Sequence, residues 1–264
     1  MSQLRIIVCV KVVPKPEEVR VDPVTWRLDR SSARSELNPP DMNAVEFALQ
    51  LKEQHGAHVE LLSMGPSFFE PVLRVALAMG ADHLTLLSDR AFGGADTLAT
   101  TYTLARAIEK LGGADLVLCG VESSDGATGQ VPAGIAEWLG WSQITMLSRV
   151  TLDPERRTVR GRREIKGGHE VLEVPLPAVL SVETAANEPR FMDYRLKSWA
   201  FAPEQVTVWD AAALAADPDL IGVPGSPTVI SGLDQAPLRE RKRIPLVGTP
   251  AEIAAQLADL LRAR

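Results

Sequence analysis

A glycine- and serine-rich segment near the middle of the chain carries groups that could bind a phosphate. It directly follows the apolar run Leu116–Cys119, predicted to be a strand, and a helix is predicted to begin at Val131. Glycines let a ligand approach the backbone closely, and a helix start offers unpaired N–H groups with a positive dipole end. This order predicts an anion site, although a loop that merely caps the helix fits the same pattern. The segment comprises Gly120, Val121, Glu122, Ser123, Ser124, Asp125, Gly126, Ala127, Thr128, Gly129 and Gln130.

This loop does not match the motifs of common nucleotide-using enzymes. The sequence contains no GxxxxGK[ST], GxGxxG, GxSxG or HExxH motif. Asp125 could act as a base, but an aspartate in a nucleotide loop more often accepts a backbone or ribose hydrogen bond. Cys9 and Cys119 form no CxxC pair, and the four histidines lack metal-ligand spacing. We therefore expect a binding protein without catalytic residues or a metal site.

The first half of the chain alternates β-branched apolar runs with segments of helical period. Such alternation predicts parallel strands joined by crossover helices, in an α/β fold with a mostly parallel, doubly wound sheet. Apolar residues on both faces of each run are typical of a sheet covered on both sides. The predicted strands are Ile6–Val13, Val59–Met64, Leu84–Ser88 and Leu116–Cys119, and the predicted helices are Met42–Gln54, Phe69–Met79 and Thr97–Leu111.

The second half has a different pattern. From about Met146 polar and apolar residues alternate, with turn signals at Asp153-Pro154 and Gly167-Gly168, which predicts antiparallel additions to the sheet. After Asn187 the sequence is irregular until a final helix from residue 249 or 250 to about residue 262. We expect a nucleotide-binding domain over residues 1–190 and an extended C-terminal arm over 191–264, which wraps around its own domain or another chain.

In an open parallel sheet, ligands bind beyond the carboxyl ends of the strands at the switch point in strand order. The loop after the fourth predicted strand and the segment after the first should meet there. Cys9 and the segment from Asn38 to Asp41 would then face the same crevice as the Gly120–Gln130 loop.

Charge, hydropathy and cysteine content limit which kinds of partner and which cellular compartment we expect. The 264 residues carry a formal net charge of -6, which gives no basic footprint for nucleic acid. No apolar stretch approaches the ~20 residues of a membrane span, so we expect no integral membrane protein. The N-terminus does not look like a secretory signal, and two cysteines in apolar runs suit a reducing cytoplasm.

Several segments together resemble the beta subunit of electron transfer flavoproteins, including the nitrogen-fixation-associated branch, over nearly the whole chain. They are IVCVKVVP, LNPPDMNAVEFALQLKE, ALAMGADHLTLLSD, DTLATTYTLARAIEK, DLVLCGVESSDGATGQ and REIKGGHEVLEVPLPAVLSVETAANEPR. The resemblance implies an α/β fold of the adenine-nucleotide-binding type and a partner, the electron transfer flavoprotein alpha subunit, which holds the FAD used for electron transfer. It also implies a nucleotide in this subunit, either AMP or a second FAD, and the compact loop favours FAD slightly. The implied contacts are Cys9, Asn38, Pro39, Asp41, Met64 and the loop Gly120–Gln130.

One segment departs from the family pattern. Relatives follow Asn-Glu-Pro-Arg with a Lys-rich stretch recognised by partner dehydrogenases, whereas this chain reads FMDYRLKSWAFAPEQ. Aromatic residues there suit a protein interface, so the resemblance implies that a flavin dehydrogenase docks near Phe191–Phe201. The implied function is an electron carrier between dehydrogenases and a quinone reductase or ferredoxin-type acceptor. The alternative is a homodimeric ATP- or AMP-binding sensor of the stress-protein type, because the same loop geometry would serve either.

Overall fold

The computed structural model describes residues 3–15, 20–21, 28–29, 34–228 and 244–262. The chain forms two compact units, Met1–Ser231 and Gly232–Arg264. The described strands, in chain order, are β1 (Arg5–Cys9), β2 (Val12–Pro14), β3 (Arg20–Val21), β4 (Leu28–Asp29), β5 (Ser35–Leu37), β6 (His58–Met64), β7 (His83–Leu87), β8 (Leu116–Gly120), β9 (Ser142–Asp153), β10 (Thr158–Ile165), β11 (Gly168–Pro175), β12 (Ala178–Val182) and β13 (Val206–Trp209). The helices are α1 (Pro39–His55), α2 (Glu70–Leu77), α3 (Thr97–Lys110), α4 (Val131–Leu139), α5 (Lys197–Ala200), α6 (Ala211–Leu214) and α7 (Pro250–Arg262).

Within the described residues, nine strands form one sheet in the order β11-β10-β9-β12-β8-β1-β6-β7-β13. The seven strands β9-β12-β8-β1-β6-β7-β13 are parallel to one another. Strands β10 and β11 pair antiparallel at the β9 end of the sheet. The chain moves outward from β1 on one side to β6 and β7, and then returns to place β8 on the other side. The predicted mostly parallel sheet with antiparallel additions is confirmed, and its switch point lies between β1 and β8.

Helices cover both faces of the sheet, as the two-sided apolar runs require. On one face α1 and α2 pack against strand residues that include Val8, Leu61 and Leu118. On the other face α3 and α4 pack against residues that include Ile7 and Val117. Because successive strand residues point to opposite faces, each central strand contributes to both cores.

The first strand differs from its prediction. Ile6–Val13 is not one strand, because β1 ends at Cys9 and β2 pairs with β5 in a separate two-stranded sheet. The chain leaves the large sheet where the Lys11 N–H donates to the carboxylate of Asp41 at 2.7 Å, instead of to a neighbouring strand. Strand β13, the outer partner of β7, is an element that the sequence analysis does not predict.

Helix α1 also binds the segment that follows β12, through hydrogen bonds and ion pairs. The Asn43 side chain donates to the backbone oxygens of Thr184 (3.1 Å) and Asn187 (2.8 Å). Arg190 donates from Nε to Glu46 Oε2 at 2.7 Å and also pairs with Glu53. Burial raises the pKa of the Glu46 carboxyl, but hydrogen bonds from Arg190 and Gln50 outweigh it and hold this pKa below its ordinary value. The segment that leads to residue 191 is therefore fixed to α1.

The second unit contributes helix α7, whose leucines lie at helical spacing. Leu257, Leu260 and Leu261 are all exposed. No helix among the described ranges has both the length and the apolar character needed to cross a membrane.

Replacing Arg190 with Met should destabilise the larger unit by about 1–3 kcal/mol at neutral pH, because Glu46 would stay buried without its cation. Glu46 has a lowered pKa in the folded state, so its contribution is present above its unfolded pKa and is lost as the pH falls. The difference between parent and variant should therefore shrink below about pH 5 in urea unfolding experiments. Arg195→Met, which breaks an exposed pair with Asp193, is the control and should change little. Equal losses in the two variants would contradict the prediction.

Candidate functional site

The segments that follow β1 and β8 meet at the carboxyl edge of the sheet. The two strands are direct neighbours, with Val8 opposite Leu118, so Cys9, the last residue of β1, lies beside Cys119, the penultimate residue of β8. Their thiols contact each other, and this contact, together with burial, raises the pKa of Cys119 well above its ordinary value. Both cysteines are free thiols, and the neutral Cys119 thiol is a poor nucleophile.

The loop divides into two parts, an inner limb (residues 120–125) and an outer limb (residues 126–130). The inner limb is fixed by Asn38, which precedes α1. Asn38 Nδ2 donates to Glu122 O at 2.8 Å, and Asn38 Oδ1 accepts from Ser124 N–H at 3.0 Å. Gly120 contacts α1 so closely that a Cβ there would lie 2.4 Å from Asp41 Oδ1. The inner limb is thus packed directly on the start of α1.

The carboxylate of Asp41 lies under the inner limb and is 7% exposed. It accepts hydrogen bonds from Lys11 N–H (2.7 Å), Asn38 Nδ2 (3.0 Å) and Gly120 N–H (3.2 Å). Burial raises the pKa of Asp41 to about 7, while the three hydrogen bonds and the Lys11 ammonium act in the opposite direction.

Lys11 is a site residue that the sequence analysis missed. Its Nζ lies 2.6 Å from Asp125 Oδ1, so it bridges the segment after β1 to the inner limb. The available signal was a single lysine inside the apolar run IVCVKVVP, because a cation there needs a partner or solvent.

The outer limb is exposed and leads into α4. Ala127 and Gly129 have positive φ angles of 47° and 62°. The N–H groups of Thr128, Gly129, Val131 and Ala133 donate no hydrogen bond to any of the described residues. These groups surround the start of a nine-residue helix, where the backbone dipole favours an anion. The outer limb can therefore accept a phosphate without breaking any of the described hydrogen bonds.

The remaining predicted contacts lie around the same edge. Met64 is half-buried at the end of β6, on the far side of β1 from β8, and Pro39 is exposed at the first turn of α1. The sheet order therefore brings the predicted residues to one edge, and direct ligand contact by each of them stays a prediction. Within the described ranges, no group of three or more His, Cys, Asp or Glu side chains could hold a metal ion.

Comparison with known proteins identifies the class to which this fold and loop belong. Residues 25–214 match the family model described as the electron transfer flavoprotein domain. The chain belongs to the electron transfer flavoprotein family.

Its similarity to curated relatives narrows the class to the beta subunits. The chain is 45% identical over 227 residues to the electron transfer flavoprotein subunit beta of Clostridium acetobutylicum, which covers 86% of each chain. It is 37% identical to Protein FixA of Azotobacter vinelandii, over 98% of this chain and 93% of the relative. It is also 38% identical to the Caffeyl-CoA reductase-Etf complex subunit CarD of Acetobacterium woodii, over 98% of each chain. Within the family it is a beta subunit of the FixA-like branch.

Replacing Gly120 with Ala should displace the inner limb, because the new Cβ would also lie 2.7 Å from the backbone carbon of Pro40. We expect a loss of about 1–3 kcal/mol in the free energy of unfolding, measured by urea titration. Gly168→Ala is the matched control, since no heavy atom lies within 4 Å of its added Cβ. An unchanged stability of Gly120→Ala would show that α1 can move away from β8.

Proposed function

We propose that this chain is the beta subunit of a heterodimeric electron transfer flavoprotein and that its Gly120–Gln130 loop binds an adenine nucleotide. The observation that carries the proposal is the open outer limb, whose N–H groups surround the start of α4. A phosphate placed there would receive hydrogen bonds from the backbone and a favourable helix dipole. Membership in the beta-subunit family supports an alpha subunit as the partner.

For the nucleotide itself we favour a second FAD over AMP. The loop SSDGATGQ is compact and resembles that of the nitrogen-fixation and bifurcating branches. The similarity to FixA proteins and to CarD supports the same assignment. In either case the outer limb would hold a phosphate, since AMP and FAD share the adenylate group.

The role of this chain in electron transfer is to help bind and position the flavin. A flavin supplies the one- and two-electron chemistry when bound, and the protein binds and orients it. The carrier would take electrons from dehydrogenases and pass them to a quinone reductase or a ferredoxin-type acceptor. The neutral, buried Cys119 thiol supports a role without covalent catalysis. The alternative, a homodimeric nucleotide sensor, is not favoured, because the matched relatives are electron transfer flavoprotein subunits.

The residues 191–201 form an aromatic segment that we propose as the docking surface for a flavin dehydrogenase. Phe191 and Tyr194 are 96% and 74% exposed. The segment is nevertheless held in place, because Asp193 N–H donates to Ala78 O at 2.8 Å and Arg74 Nη1 donates to Ala200 O. A fixed backbone that presents aromatic side chains would lose little conformational entropy on binding.

Helix α7 is proposed as a further contact with the alpha subunit. Its leucines repeat at helical spacing and Leu261 is 66% exposed, so a partner surface could bury them. The buried free thiols support a reducing compartment, and we propose the cytoplasm.

Co-expression with an alpha subunit tests the proposed function directly. We expect a yellow heterodimer, and mass spectrometry of the released nucleotides should give about two FAD per complex if the FAD assignment is right. One FAD and one AMP per complex would rule out a second FAD and would leave the assignment as an electron carrier intact. A colourless monomer in the presence of the alpha subunit would contradict the carrier assignment.

Exchanging the exposed aromatic side chains tests the docking surface. The double variant Phe191→Ser and Tyr194→Ser should lower kcat/KM for reduction of the complex by its dehydrogenase about 10-fold, since aromatic anchors commonly dominate interface energies. Its flavin content should not change. Ile165→Ser, an exposed apolar residue at the end of β10, is the control. Equal rates for both variants and the parent would exclude docking at this segment.

A further inference from the structure

The side chain of Asn38 has no donor left for a ligand. It is 1% exposed, and both of its N–H donors are used, one by Glu122 O and one by Asp41 Oδ1. Its oxygen accepts from the N–H of Ser124. Two of these three bonds go to the inner limb of the loop, so Asn38 holds the loop against α1.

Asp41 is used in the same way. Its Oδ1 accepts from Asn38 and from Gly120, the first residue of the inner limb, and its Oδ2 accepts from the backbone of Lys11. One buried carboxylate thereby joins the turn after β1, the end of β8 and the start of α1. The open N–H groups lie elsewhere, on the outer limb and in the first turn of α4.

We propose that Asn38 and Asp41 are positioning residues, which set nucleotide affinity by fixing the inner limb of the loop without touching the nucleotide. The inference rests on the proposed nucleotide-binding function of the Gly120–Gln130 loop. It differs from the expectation, based on the family resemblance, that the two residues contact the ligand themselves.

The arrangement favours an ionised Asp41. Three N–H donors face this carboxylate, and protonation would make it a weaker acceptor and would add an O–H donor to a site that already holds three donors. The other ionisable groups around it are the Lys11 ammonium, which is paired with Asp125, and the thiols of Cys119 and Cys9. Because burial raises the pKa of Asp41 to about 7, the carboxylate takes up a proton near neutrality.

Nucleotide affinity and global stability should respond to this proton in opposite directions. As the pH falls through about 7, protonation of Asp41 loosens the inner limb and affinity decreases. The folded-state pKa is raised above its ordinary 3.8, so the native chain holds a proton that the unfolded chain releases between these values. The contribution to stability is therefore full below the unfolded pKa and is lost as the pH rises through the folded pKa.

The test uses the heterodimer with its alpha subunit, stripped of nucleotide, and measures equilibrium binding of AMP and of FAD by calorimetry. Between about pH 8 and about pH 6, affinity of the parent for FAD, whose diphosphate does not titrate in this range, should fall about 10-fold, because the fraction of ionised Asp41 falls by that factor. Asp41→Asn should bind at least about 10-fold more weakly at pH 8, and its affinity for FAD should show no pH dependence. Asn38→Ala should also bind more weakly but keep the pH dependence, since Asp41 retains its two backbone donors.

Two controls separate positioning from contact and from general destabilisation. Glu60→Gln changes another buried carboxyl with a pKa raised by burial, also 7% exposed, and should leave affinity and its pH profile unchanged. Gly129→Ala, at a φ of 62° in the outer limb, should weaken binding while the pH profile is retained.

Failure of the inference is distinguishable from failure of the proposed function. If the parent heterodimer binds neither AMP nor FAD at pH 8, the nucleotide-binding function itself is wrong, and the inference falls with it. If the parent binds but its affinity is independent of pH, or if Asp41→Asn binds like the parent, only the positioning role is wrong. A nucleotide-bound structure with either side chain in hydrogen-bond contact with the ligand would also overturn it.

Discussion

The hydrogen bonds to the buried carboxylate of Asp41 are the interaction on which the rest of the site depends. They are possible because Gly120 lets β8 end directly against the first turn of α1, where any Cβ would collide with Asp41. A carboxylate without these donors would be costly to bury, and the donors without the carboxylate would be left unsatisfied. The inner limb of the loop is therefore determined by packing at the sheet edge, and the outer limb is left to present its N–H groups to solvent.

The sequence was sufficient for the features that depend on apolar pattern. Parallel strands such as β6 and β8 are buried, mainly apolar runs, so their existence, their crossover helices and the switch point followed from the alternation of such runs with segments of helical period. The position of the Gly120–Gln130 loop after β8 followed for the same reason. Strand β13 was not predicted because four residues at a sheet edge, half-buried or exposed, carry little periodic signal.

The details of the site could not be predicted, because they depend on contacts between distant segments. The sequence pattern placed Asn38 and Asp41 at the crevice but could not show that their side chains bond to the backbone of Glu122, Ser124, Gly120 and Lys11. The end of β1 at Cys9 has the same cause, since the bond from Lys11 to Asp41 replaces a bond within the sheet. Such contacts are decided by the tertiary fold, and no local propensity reports them.

Strand β12 lies between β8 and β9, although the chain makes β9, β10 and β11 before it. The Val121 N–H donates to Val182 O, so the loop after β8 has its neighbour only when residue 182 has left the ribosome. The edge of β8 that β12 covers in the finished sheet therefore has no native partner until β12 has been made. The Gly120–Gln130 loop therefore gains its bond to Val182 only after β12 is made, and an incomplete chain that lacks β12 would leave a strand edge unpaired.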